Sequence, residues 1–185
     1  MNTIKKFSMM ALAVCFMNVS FAQEKTVEVG GAAMYPSKNI VENALNSKDH
    51  TTLVAAVKAA GLVETLQGSG PFTVFAPTNE AFEKLPAGAV DNLLKPENKE
   101  VLSGVLTYHV VPGKLDSKEI ASLIAAGNGK AEVTTVEGGK LWLWMQGDKL
   151  VIKDEKGGMA AVTIKDVYQS NGVIHVIDAV VLPQS

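Results

Sequence analysis

The sequence predicts an α+β fold, with helices in the first two thirds of the chain and strands in the last third. Two observations carry that prediction. Apolar residues recur at helical spacing from residue 37 into the 120s. From Lys130 onward, short apolar runs are separated by turn dipeptides such as Gly138-Gly139 and Asn171-Gly172. Helices and strands do not alternate regularly, so a parallel βαβ sheet is excluded.

The elements follow in order. Residues 23–36 form a lead-in containing Gly30-Gly31 and Pro36. Ser37 is placed to cap a helix carrying Ile40, Val41, Ala44 and Leu45. Asp49 or Thr51 caps a second helix that buries Leu53, Val54, Val57 and Ala60 and stops at Gly61. Leu62 to Leu66 adds a turn. After Gly68-Ser69-Gly70-Pro71, residues 72–76 read as a strand rich in aromatic and β-branched side chains. Thr78 or Asn79 then caps a short helix with Ala81, Phe82 and Leu85 on one side. Helical patterns resume through Val90, Leu93 and Leu94, and again over residues 99–106. Residues 107–111 read as a strand ended by Pro112-Gly113, and Asp116 or Ser117 caps a last helix with Ile120, Leu123 and Ile124. Strand patterns then cover residues 131–136, 141–145, 150–152, 160–167 and 173–182.

A chain of 185 residues allows one domain, and 47% apolar residues fill its core. All 17 basic residues are lysine and the net charge is −2. A nucleic-acid binder would want a basic patch and the bidentate fork of arginine, so that class is excluded. At the N-terminus, Lys5 and Lys6 precede an apolar run from Phe7 to Met17, and Ser20-Phe21-Ala22 supplies small residues before Gln23. This is the pattern of a secretory signal peptide. The run falls short of the roughly 20 residues that span a bilayer. The expected organisation is a signal peptide at 1–22, a lead-in at 23–36 and a domain at 37–183. It implies export to the periplasm or the extracellular side, with no membrane-spanning segment. Cys15 is the only cysteine and lies in the leader. Bulky Val14 just before it fits lipidation poorly. The exported chain then has no disulfide and depends on its core. Removing the leader takes away two lysines and no acid, so the net charge becomes −4.

Three stretches carry a family resemblance: Gly70–Phe82 (GPFTVFAPTNEAF), Thr107–Gly113 (TYHVVPG) and Asn171–Pro183 (NGVIHVIDAVVLP). In this order they resemble the motifs of the fasciclin-like domain family, over residues 37–183. The resemblance implies a wedge of helices packed beside a twisted β-sandwich, with the two long motifs paired in the core. It also implies a secreted or surface protein of adhesion, matrix contact or cell–cell attachment. Pro77 removes a donor where strand pairing ends, and Thr78 and Asn79 offer side-chain oxygens to the free N–H groups of the next helix. Thr73, Phe75, Pro77, Thr78, Asn79 and Phe82 therefore make a folding signature, and His175 and Asp178 of the last motif join it.

Four residues are candidates for binding. The resemblance implies a receptor-contact role for a tyrosine–histidine pair, here Tyr108 and His109. Within a strand the two would face opposite ways, and both readings, contact and core, stay open. Trp142 and Trp144 share one strand face, with Leu141, Leu143 and Met145 on the other. They read either as a platform for a sugar ring or a protein, or as cover for a sheet edge. His175 sits in the apolar run Val173–Ile177 and reads as a hydrogen-bonded core residue. Asp178 reads as an acceptor locking that strand to the first motif, and His50, beside Asp49, as an exposed loop residue. The spacings HxH, HExxH, GxSxG and a phosphate loop are all missing, so no metal, cofactor or catalytic set is expected.

These readings converge on a non-catalytic adhesion or protein-interaction module. Its partner would be a protein or polysaccharide at the cell surface or matrix. Self-association would supply the multivalency a lone domain lacks. The alternative is a carrier for a small apolar or glycan ligand. A hydrolase would require a histidine and a carboxylate converging in an open cleft.

Overall fold

A computed structural model describes residues 25–184; the expected signal peptide lies outside the described residues. The chain opens with a hairpin of β1 (Val27–Val29) and β2 (Ala32–Met34). Its two turn residues, Gly30 and Gly31, have φ of 59° and 74°, as a two-residue hairpin turn requires. Strands of three residues are too short for alternation to stand out, so the sequence reading has only a lead-in here.

Helix α1 (Ile40–Ala44) is capped by Asn39 and not by Ser37. The Asn39 side chain accepts from the Glu42 N–H while the Glu42 carboxylate accepts from the Asn39 N–H, a reciprocal capping box. After a 3₁₀ turn, α2 (Thr51–Ala60) runs to Gly61, which stops it in the left-handed conformation. Next come α3 (Val63–Gln67), β3 (Phe72–Pro77) and α4 (Asn79–Glu83). Thr78 caps α4 as expected. Asn79 caps a different helix: its Oδ1 accepts from the Thr52 N–H at 3.0 Å and its Nδ2 donates to the Lys48 carbonyl, tying α4 to the start of α2.

Then follow α5 (Ala89–Leu93), α6 (Lys99–Tyr108), β4 (Val110–Pro112) and α7 (Ser117–Ala126), the last capped by Asp116. The expected strand over residues 107–111 is corrected. The apolar stripe of Leu102, Val105 and Leu106 continues to Tyr108 as helix, and only Val110 begins the strand. The chain ends with β5 (Ala131–Thr134), β6 (Lys140–Gln146), β7 (Lys149–Lys153), β8 (Met159–Gln169) and β9 (Gly172–Ile177).

Seven of these strands form one sheet in the order β4-β3-β9-β8-β7-β6-β5. The expected sandwich is therefore corrected to a single sheet that coils nearly into a barrel. Its two ends approach each other where the Val136 N–H donates to the Val110 carbonyl at 2.7 Å. All pairings are antiparallel except β3 with β9, which run parallel from Phe72↔Gly172 to Pro77↔Ile177. The two long motifs thus pair directly, as the resemblance implied. A Cβ at position 172 would lie 2.0 Å from the Phe72 carbonyl oxygen, so only glycine permits this approach.

The β3–β9 pair divides two cores. Val74, Ala76, Ile174 and Val176 face the helices, where they meet Ile40, Leu53, Leu102 and Leu106. Phe75 and Ile177 face the inside of the coiled sheet, with Tyr108, Ile120, Leu141, Leu143 and Ile152. Asn171, at the start of β9, joins the helical layer to this wall. Its Oδ1 accepts from the Ile40 N–H, and its Nδ2 donates to the Leu66 and Gly68 carbonyls, both at 2.8 Å. Replacing Asn171 with Ala leaves buried donors and acceptors unmatched. The expected loss is about 3 kcal/mol, seen in thermal melting as a Tm lower by about 10 °C. An unchanged Tm would show that water replaces these bonds without cost.

Candidate functional site

The histidines are placed by secondary structure, each in a different wall of the core. His109 caps the C-terminal end of α6 and is 2% exposed. Its Nδ1–H donates to the Val105 carbonyl at 2.8 Å and its Nε2 accepts from the Val181 N–H at 3.2 Å, which defines a neutral ring. Burial pushes its pKa down to about 4, against the upward pull of the Val105 carbonyl. Tyr108 is fully buried; its hydroxyl donates to the Lys140 carbonyl at 2.6 Å and accepts from the Glu155 N–H at 3.1 Å. Burial raises that hydroxyl to about 12. The pair therefore does not split between two faces. Both side chains turn inward from a helix end, and the folded protein offers neither to a partner.

His175 is fully buried and lies 5.8 Å from the Phe75 ring, stacked at 27°. Its Nε2–H donates to the Leu115 carbonyl at 2.8 Å, and its Nδ1 accepts from the Asp166 N–H at 3.4 Å. Burial lowers its pKa. The Ser117 hydroxyl and N–H both donate to the Asp166 carboxylate. Serine, aspartate and histidine thus meet here, but the imidazole faces carbonyl and amide groups and not the serine, so no nucleophile is activated. Thr73 completes this region: its hydroxyl donates to the Gly113 carbonyl and accepts from the Leu115 N–H.

Two expectations are corrected. His50 is not exposed. It is 3% exposed; Nδ1 lies 2.8 Å from the Ser47 hydroxyl, and Nε2 faces the Ala76 main chain without a hydrogen bond of normal geometry. The 3₁₀ turn before α2 rolls it inward. Asp178 does not bind the first motif through its carboxylate; Oδ1 accepts from the Ala161 N–H at 2.7 Å and fastens the end of β9 to β8. Among the described residues, no group of three His, Cys, Asp or Glu side chains is arranged to hold a metal ion. No described helix is long and apolar enough to cross a membrane.

An open hollow of about 550 Å³ is lined by residues including Ser117, Ile120, Met145, Lys149, Leu150 and Asp178, and two further places bear on the readings above. An apolar cavity lies between the helices and β3, lined by residues including Val41, Val57, Leu66, Val74 and Leu106. Its volume is about 40 Å³, little more than one water occupies. The second is the outer face of β6. Leu141 and Leu143 are fully buried inside the sheet, while Trp142 and Trp144 stand half-buried on the opposite face. Trp142 pairs across to Glu132 on one side and Lys153 on the other, and Trp144 pairs with Val151. The Trp142 Nε1–H donates to Glu132 at 3.0 Å, and the Lys130 ammonium lies 5.4 Å from the Trp142 ring centroid. Lys130, Trp144, Lys153, Gly157 and Met159 line an open hollow of about 370 Å³. Sequence reasoning found the two tryptophans through strand alternation. It missed Lys130, Lys153 and Met159, because only the strand register brings them to the same face.

The fasciclin domain family model matches residues 48–183. The chain is 49% identical over 160 residues to protein sll1483 of Synechocystis sp., covering 86% of this chain and 82% of that one. It is 40% identical to transforming growth factor-beta-induced protein ig-h3 of Sus scrofa, over 72% of this chain but 18% of that longer protein. A FAS1 domain pair from the insect cell adhesion molecule fasciclin I is similar in fold. The TM-score is 0.54 and the identity 24%, over 70% of this chain and 43% of that one.

The buried histidines make stability depend on pH. The unfolded chain protonates His109 near its ordinary value of 6.5, whereas the folded chain resists until about pH 4. Stability is therefore complete above about pH 6.5 and falls as the pH drops, His109 alone removing about 3 kcal/mol by pH 4. His50 and His175, also lowered by burial, act in the same direction. Urea melts between pH 7.5 and 4.5 should show this fall, and a His109→Gln variant should show a shallower one. A flat profile would mean that the rings stay solvated.

Proposed function

Because the chain belongs to the fasciclin domain family, we propose that it serves as a cell-adhesion or protein-interaction module, exported from the cytoplasm and without catalytic activity. The adhesion role of fasciclin I and the secretory pattern of the leader support this reading. The observation that carries it is the contrast between the two sets of candidate residues. His50, His109, His175 and Tyr108 are buried within the fold, whereas Trp142 and Trp144 face outward from β6, which is paired on both sides, with the edge strand β5 and with β7. Tryptophan is the residue most enriched in binding hot spots, and a platform on regular strands needs little ordering to bind.

The alternative, a carrier, divides in two. An apolar ligand would either enlarge the 40 Å³ cavity in the helical core, at the cost of close packing, or lie in the open 550 Å³ hollow beside Ile120, Met145 and Leu150. A glycan ligand would use the outer tryptophan face, and so becomes one form of the adhesion reading.

Attachment of protein-coated beads to producer cells, to matrix polymer and to each other tests the proposal. Wild-type beads are expected to attach, and a Trp142→Ala/Trp144→Ala variant with an unchanged Tm is expected to lose about 90% of that attachment. Tyr108→Phe should instead melt about 1–3 kcal/mol less stably and attach normally once folded, because its hydroxyl works inside the core. Wild-type beads that attach to nothing would overturn the adhesion reading.

A further inference from the structure

The outer sheet face differs in charge from the protein as a whole. The chain is net acidic, at −2. On this face, Lys140, Lys149 and Lys153 project beside Trp142 and Trp144, and Lys130 reaches over the Trp142 ring. Two carboxylates answer them: Glu155 accepts from the Lys140 N–H and acts on the Lys140 ammonium through space, and Glu132 is in direct contact. Glu132 is bound to Lys140 at 2.7 Å and accepts the Trp142 indole N–H, and these contacts hold its carboxyl below the usual range. Lys130 and Lys153 make no ion pair with any described residue. They flank the hollow over Trp144, whose rim includes Met159, 61% exposed.

Resting on the adhesion reading above, we propose that this face binds an acidic polysaccharide with one carboxylate per sugar ring, the sugars stacking on Trp142 and Trp144 and their carboxylates meeting Lys130 and Lys153. Three features favour a polysaccharide over an acidic protein. First, β6 lies inside the sheet between β5 and β7, so a peptide cannot add to it as a strand. Second, the hollow is open and lacks the deep pocket that an anchoring side chain fills in a protein interface. Third, aromatic faces accept the flat C–H face of a sugar ring, and Lys153 stands beside Trp142 in the register and lines the hollow at Trp144, while Lys130 sits over the Trp142 ring in the field of Glu132. The chain has no arginine, so the carboxylates meet point charges and not bidentate forks. Binding of that kind weakens with salt.

The chain contains two tryptophans, and both lie on this face, so tryptophan fluorescence reports on the site alone. Titration with alginate, a polymer of uronic acids, is expected to shift the emission at low ionic strength and to weaken about tenfold or more on raising salt to about 0.5 M. Neutral dextran of similar length is expected to give no shift. Lys130→Gln/Lys153→Gln, both surface changes, should weaken alginate binding about tenfold without lowering the Tm. Trp144→Ala should weaken it at least as much, read by retardation in alginate-containing gels. The proposal is overturned if dextran binds as well as alginate, if the double lysine variant binds alginate like the wild type, or if alginate at low salt produces neither shift nor retardation. In that last case, beads that still attach to cells or to each other through the tryptophans would leave the adhesion reading standing with a protein partner. Beads that attach to nothing would remove both.

Discussion

The parallel pairing of β3 with β9 is the constraint on which the rest of the structure depends. It joins segments from opposite ends of the domain, in register over six residues, and both strands are buried on both faces. Buried backbone groups must be hydrogen-bonded, so neither strand can leave the other without stranding its amides and carbonyls. Through Asn171 the same wall holds the ends of α1 and α3, and through Thr73 it holds the segment leading to α7. Each face of the pair then supplies one side of a separate core. The fold is a partition with helices against one side and a coiled sheet closing on the other.

That partition explains the fate of the polar residues in the motifs. His175 and His109 lie where strand, helix end and loop converge, and each ring satisfies backbone groups of two different segments. A buried neutral imidazole with a donor and an acceptor suits such joints, since it bridges main-chain groups without carrying a charge into the core. Lowered pKa values mark functional sites in many proteins; here burial of the rings in the walls of the core is their cause.

The outer face of the coiled sheet is free of this burden. Its strands are held from within by Leu141, Leu143, Leu150 and Ile152, so the residues pointing outward need not contribute to the core. Trp142 and Trp144 are large apolar groups that stay half-exposed outside the two cores, and lysines collect around them on an otherwise acidic protein. A rigid backbone, aromatic faces and unpaired charge are the ingredients of recognition with little ordering cost.

The sequence by itself determined the α+β class and most element positions, because helical and strand periodicities survive in the local order of residues. The pairing of GPFTVFAPTNEAF with NGVIHVIDAVVLP was implied only by their resemblance to the fasciclin-like motifs, and the register of β3 with β9 bears it out. The sequence also placed Trp142 and Trp144 on one face, since alternation along a strand is a local property. Only the tertiary structure decided that Tyr108 ends a helix, that His50 turns inward, that Asp178 holds β8 and that one coiled sheet replaces a sandwich. In the last three cases the contact lies far away in sequence: Ala76 for His50, Ala161 for Asp178, and Val110 with Val136 for the closing sheet; the hydroxyl of Tyr108 is likewise held by distant Lys140. Local patterns encode which face of an element is apolar. What that face meets is set by packing between distant segments, which no short-range pattern records.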